Sequence, residues 1–132
     1  MISSVQDVYY NVSDMSRAIR FYGGVLGLML EHQSKQWSSV NVGGVQLGLH
    51  WTGGDPVPDV PGDAHGPYAG AQIKFRVDDI HAAARHLEAA GARVLSEVWD
   101  RPWGKLVVFR DPDGNYLTLM QPRLTSKQGR AG

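Results

Sequence analysis

Asp14-Met15-Ser16-Arg17-Ala18-Ile19-Arg20-Phe21-Tyr22 and Asp79-Ile80-His81-Ala82-Ala83-Ala84-Arg85-His86-Leu87 are two copies of one pattern, 65 residues apart. Each opens on an aspartate able to accept from the free N–H groups of a helix N-terminus. Each then sets apolar residues at i, i+3, i+4 and i+7. Met15, Ala18, Ile19 and Tyr22 make the stripe in the first copy, and Ile80, Ala83, Ala84 and Leu87 make it in the second. Gly23-Gly24 is expected to end the first helix and Gly91 the second, because the residue just past a helix commonly takes positive φ. A repeat of this kind constrains the fold more than any single element.

Working outward, a strand pattern precedes each helix. Val8, Tyr10 and Val12 alternate with Asp7, Tyr9 and Asn11, and Ile73, Phe75 and Val77 alternate with Gln72, Lys74 and Arg76. Side chains alternate faces along a strand, so the apolar set packs on the helix while the polar set faces elsewhere. Strand patterns also follow each helix: residues 28–32, 37–42 and 45–51 in the first half, and 93–99, 105–110 and 115–121 in the second. Gly43-Gly44 and Asp111-Pro112-Asp113-Gly114 supply turns. The expectation is an α+β fold of two βαβββ modules, residues 1–51 and 71–122. They would form a curved mixed eight-stranded sheet with a concave cleft and helices on the outer face. Residues 52–70 hold nine glycines or prolines in nineteen positions and read as a linker, and 123–132 reads as a frayed tail.

Composition excludes several functions. The 132 residues carry 13 Lys plus Arg against 13 Asp plus Glu, so there is no excess of positive charge to hold a nucleic acid. The absence of cysteine removes disulfides, thiolate nucleophiles and thiolate metal sites, and suits a reducing, cytoplasmic setting. The first residues lack the basic and apolar stretches of a signal peptide, and no run of ~20 apolar residues occurs, so no membrane partner is expected.

Asp14, Phe21-Tyr22, Leu26-Gly27, Pro102-Trp103-Gly104 and Asp111-Pro112-Asp113-Gly114-Asn115 fall in an order that resembles the vicinal oxygen chelate superfamily. That group contains glyoxalase I, bleomycin-resistance proteins, fosfomycin-resistance enzymes and extradiol dioxygenases. The resemblance spans residues 5–122 and implies the fold just described. It says little about chemistry, because the scaffold serves unrelated reactions. In metal-using members the donors come from the first and last strands of each module, which the resemblance transfers to Asp7, Gly48, Gln72 and Thr118. Gly48 has no side-chain donor and Thr118 offers a neutral hydroxyl, whereas a divalent site normally takes three or more protein ligands. His50 shares the face of Gly48 but stands roughly 6.6 Å further along the strand. Neither a metal nor another cofactor is therefore expected.

The polar face is read as a binding surface. Its candidate ligand contacts are Asp7, Tyr9, Asn11, Trp37, His50, Gln72, Lys74, Arg76, Trp103, Tyr116 and Thr118. Indole rings suit stacking on a planar ligand, and Lys74 and Arg76 suit an anionic group, although both also suit pairing with carboxylates on the sheet. Trp99 and Trp103 suit either stacking or covering a sheet edge, and His65 and His81 are expected to face solvent. The reading is metal-free binding of a small planar or amphipathic molecule, with no catalytic residue singled out. The alternative is a divalent-metal lyase, isomerase or dioxygenase. The resemblance also implies a homodimer paired through the first strands of its modules, and it leaves open whether modules pair within one chain or across two.

Overall fold

Both capping aspartates act as the repeat predicts. Asp14 Oδ1 accepts from the Arg17 N–H and Asp79 Oδ1 from the Ala82 N–H, each at 3.0 Å. The structure is a computed structural model that describes residues 1–123. These form two compact units, residues 1–59 with 111–115, and residues 60–110 with 116–123. Apart from Arg123, the tail expected at 123–132 lies outside the described residues. No described helix is long and apolar enough to cross a membrane.

The first unit runs β1 (Val8–Val12), α1 (Met15–Ile19), β2 (Met29–Gln33), β3 (Trp37–Val42) and β4 (Val45–Trp51). Its four strands lie in the order β1-β4-β3-β2, with β1 parallel to β4 and the other pairs antiparallel. The Gly43-Gly44 turn between β3 and β4 has φ of 58° and 89°, a conformation open to glycine and costly for most other residues. α1 lies against β3 and β4, and Val12, Met15, Ala18, Phe21, Tyr22, Val40, Leu47 and Leu49 form the buried core.

The first helix does not stop at Gly23-Gly24. After α1 the chain widens into a π-helical turn, Arg20–Val25, in which the Leu26 N–H donates to the Phe21 carbonyl at 2.9 Å. The widened turn puts the neighbours Phe21 and Tyr22 both into the core, which regular 3.6-residue spacing would not do, and Ile19 is left half-buried. The positive φ falls instead at Gly27, at 69°.

The second unit contains a short ribbon of β5 (Gly62–Asp63) and β6 (Gly66–Pro67) inside the expected linker. It continues with β7 (Ile73–Arg76), α2 (Ile80–Ala89), β8 (Arg93–Val94), β9 (Trp99–Arg101), β10 (Gly104–Arg110) and β11 (Tyr116–Pro122). The sheet order is β7-β11-β10-β8, with β9 also paired to β10, and β7 runs parallel to β11. α2 ends at Gly91 with φ 77°, as expected. Ile80, Ala84 and Leu87 on α2 are buried, as are Phe75, Val107, Phe109, Leu117 and Leu119 on the sheet.

The α+β class and the βαβββ order stand, but the described residues hold eleven strands in three sheets rather than eight in one. One cause is the ribbon. The other is that the strand expected at 93–99 is split, because the Ser96 hydroxyl accepts from the Val108 N–H at 3.1 Å. A side chain there takes the place of a ladder bond, and pairing resumes at Trp99.

Candidate functional site

In the first unit, alternation brings four of the candidate residues together on one face of the sheet. Asn11, His50 and Trp37 form one cross-strand row, and Tyr9, Gly48 and Ser39 form the next. Tyr9 meets Trp37 edge-on with centroids 5.5 Å apart and His50 at 5.7 Å, and His50 Nδ1 lies 3.1 Å from Asn11 Oδ1. Asp7 stands just ahead of β1, half-buried. The Trp37 ring occupies the space over Gly48: a Cβ built there would fall 2.1 Å from the ring.

In the second unit the corresponding face is open. A pocket of about 180 Å³ is lined by His65, Gln72, Lys74, Trp99, Arg101, Trp103, Leu106, Val108 and Thr118. Its floor is the cross-strand row Lys74, Thr118 and Val108. The Thr118 hydroxyl donates to Gln72 Oε1 at 2.7 Å, which leaves the Gln72 amide N–H groups as donors. Four candidates, Gln72, Lys74, Trp103 and Thr118, meet here. Tyr116 is buried instead, its hydroxyl accepting from Arg110, whose guanidinium lies 4.0 Å above the Tyr116 ring. Arg76 is exposed outside the pocket.

The ribbon supplies one wall. Gly62 lets it approach the sheet, since a Cβ there would fall 2.5 Å from the Tyr116 hydroxyl and 2.6 Å from the Gly66 carbonyl oxygen. The Trp99 indole N–H donates to the Ala64 carbonyl at 3.0 Å, and His65 stacks on the Trp99 ring at 4.6 Å. The His65 backbone N–H and the Tyr68 hydroxyl both donate to Asp63, at 2.8 Å each, and hold its carboxyl below the usual pKa. His65 is exposed, as expected of it, yet it belongs to the pocket wall, and His81 is exposed on α2.

Five lining residues are absent from the candidate set: His65, Trp99, Arg101, Leu106 and Val108. Strand alternation carries a signal for Leu106 and Val108, which share one face of β10. His65 has none, because its place depends on how the ribbon seats on Tyr116.

A separate polar cluster holds the 111–115 turn in the first unit. Asp111 accepts from the Tyr22 hydroxyl and from Asn115 Nδ2, each at 2.8 Å, and from the Asp113 and Asn115 backbone N–H groups. Burial raises the Asp111 pKa despite these four donors. Burial, together with the nearby Asp111 charge, raises that of Tyr22 well above its ordinary value. Asp113 accepts from the Ser13 hydroxyl at 2.5 Å and from Arg17 at 2.9 Å. The cluster orders the turn that precedes β11.

The positions where the resemblance expects metal donors do not fit an ion. Trp37 fills the space above Gly48, which has no donor of its own, and Thr118 offers only a neutral hydroxyl, a weak ligand for a divalent ion. No group of three or more His, Cys, Asp or Glu side chains with metal-binding geometry occurs among the described residues.

A sequence profile described as the Glyoxalase/Bleomycin resistance protein/Dioxygenase superfamily matches residues 4–119. A Vibrio parahaemolyticus protein named "Probable lactoylglutathione lyase" is 30% identical over 133 aligned positions, covering 92% of this chain and 89% of the relative. Among solved structures, the fosfomycin resistance protein FosX from Listeria monocytogenes aligns with a TM-score of 0.73 at 17% identity, covering 98% of this chain and 99% of FosX. TnmS3, an antibiotic binding protein from a Streptomyces species, aligns with a TM-score of 0.69 at 29% identity, covering 92% of this chain and 98% of TnmS3.

Proposed function

Because this chain belongs to the glyoxalase/bleomycin resistance protein/dioxygenase superfamily, the question is which of that scaffold's uses its residues suit. We propose that it binds a small planar or amphipathic molecule, without a metal ion, in the pocket of the second unit. The observation that carries this reading is the pocket lining. Trp99, Trp103, Leu106 and Val108 provide apolar walls, and Gln72, Lys74 and Arg101 place polar groups among them. Polar groups converging between apolar walls are a common form of small-molecule site. The likeness to an antibiotic binding protein at 29% identity supports binding over turnover. The poor donor set at Gly48 and Thr118 supports a metal-free site.

The second reading, a divalent-metal lyase, rests on the name of the Vibrio relative. One experiment separates the two. Protein purified without chelator has its metal content measured, and it is titrated with planar aromatic compounds before and after dialysis against chelator while tryptophan fluorescence is followed. A saturable response is expected to survive chelation and to weaken by about tenfold in Trp103→Ala, the scale of one lost aromatic contact. Near-stoichiometric zinc, nickel, manganese or iron, with the response lost on its removal, would decide for the lyase. For the homodimer, β1 is an edge strand whose Val8 and Tyr9 are exposed, which supports pairing there. Sedimentation analysis checks it.

A further inference from the structure

Resting on that binding reading, we propose that the pocket selects a planar anion, an aromatic carboxylate of about one ring or such an end of a larger molecule. The chain as a whole has equal numbers of acidic and basic residues, so a polar surface drawn from it would mix signs. This pocket does not. It is lined by Lys74, Arg101 and His65, with no aspartate or glutamate.

The neighbouring acids are engaged elsewhere. Asp100 pairs with Arg123 at 2.5 Å, and Asp63 accepts from the His65 N–H and the Tyr68 hydroxyl. Among the described residues, the Lys74 side chain has no hydrogen-bond or ion-pair partner. Arg101 lies 5.0 Å from the Trp99 ring centroid, and its hydrogen bond to the Asp100 carbonyl is long, at 3.4 Å. Two cations thus face a recess walled by Trp103, Leu106 and Val108, where low polarity on one side strengthens attraction to an anion.

Size narrows the ligand further. About 180 Å³ is close to the ~150 Å³ cavity that admits benzene and below the roughly 300–1,000 Å³ of pockets that enclose drug-sized molecules. Trp103 is 55% exposed and has no ring partner among the described residues, so a face of its indole is free to stack. The Gln72 amide N–H groups, left over from the Thr118 bond, add donors for a carboxylate oxygen.

The test uses the full chain and three probes that share a ring and differ in charge: benzoate, benzyl alcohol and benzylamine, with inorganic phosphate as an arm lacking the ring. Affinities are read by ligand-observed NMR. Benzoate is expected to bind about tenfold more tightly than benzyl alcohol, with benzylamine and phosphate weakest. Lys74→Gln should remove most of that preference, Lys74→Arg should restore it, and added salt should shrink it, since Lys74 is exposed. Trp103→Ala should weaken the three ring probes together and keep their order. The proposal is overturned if benzyl alcohol or benzylamine matches benzoate, if phosphate does, or if Lys74→Gln leaves the order intact. Should none of the three ring probes bind while larger aromatic compounds do, the one-ring ligand is wrong and the binding reading stands. Should no aromatic compound bind at all, both fall.

Discussion

In the four-stranded sheet, the ring of Trp37 lies on Gly48 and fills the space that a side chain there would need. In the five-stranded sheet, the position that the family resemblance matches to it holds Thr118, and the space beside that residue is a pocket walled by the 62–67 ribbon and by the β9–β10 hairpin. The two sheets share a strand plan: a parallel first strand, a capped helix, and an antiparallel pair closing on the last strand. What separates them is a choice of side chains on one face. A tryptophan reaching over the glycine of the next cross-strand row closes the hollow from within, whereas a short hydroxyl beside an amide leaves it for something else. One duplicated scaffold can thus hold a packed face and a receptive one.

The sharpest way to break this contrast is at the ribbon. Gly62→Ala should cost about 3 kcal/mol, since the added methyl meets both the Tyr116 hydroxyl and a backbone oxygen. It should also abolish aromatic ligand binding if the wall lifts away. Urea denaturation and a ligand titration read the two effects separately. An unchanged stability would mean that the ribbon seats differently.

Next comes the filled face. Gly48→Ala should cost about 1–3 kcal/mol through overlap with the Trp37 ring. In a Trp37→Ala background the same change should cost much less, and the coupling in a double-mutant cycle measures the ring's contact with position 48. Equal costs in both backgrounds would remove the basis of the comparison.

The helix caps should behave alike in the two units. Asp14→Ala and Asp79→Ala each lose one bond to a backbone N–H, at 3.0 Å in both cases, and each should cost about 1 kcal/mol. A large inequality in the denaturation midpoints would show that the repeat is not energetically symmetric.

The smallest effect concerns acid. Burial raises the Asp111 pKa above its ordinary value, so folding takes up a proton at this group between its unfolded and folded pKa values. Its contribution to stability is complete below the unfolded pKa and is lost as pH rises through the folded one. The pH dependence of wild-type stability minus that of Asp111→Asn should therefore slope downward across that window. An upward slope would mean that the four donors outweigh burial.

Much of this was legible in the chain. The 65-residue repeat carried the two helices, their caps and the strands before them, because capping and alternation are local properties that depend on neighbours a few positions apart. Gln72, Lys74 and Thr118 were set on one face by the same alternation, whereas Trp103 was singled out as an indole beside a strand end. Misjudged features were those in which distant groups compete with local rules. The π-turn through Gly23-Gly24 follows from burying Phe21 and Tyr22 together, and the break after Val94 follows from Ser96 reaching Val108. Neither contact has a sequence spacing that announces it.

The order of polar and apolar residues was enough to state the class of fold, since this rests on short-range periodicity, and the poor donor set at Gly48 and Thr118 was read from residue chemistry at positions that the family resemblance supplied. Which hollow is filled and which is open depended on long-range contacts: Trp37 crossing to Gly48, and a glycine at 62 letting a loop settle on Tyr116. Such contacts join residues whose separation along the chain carries no pattern. They exist because packing leaves room for one ring and excludes one methyl group.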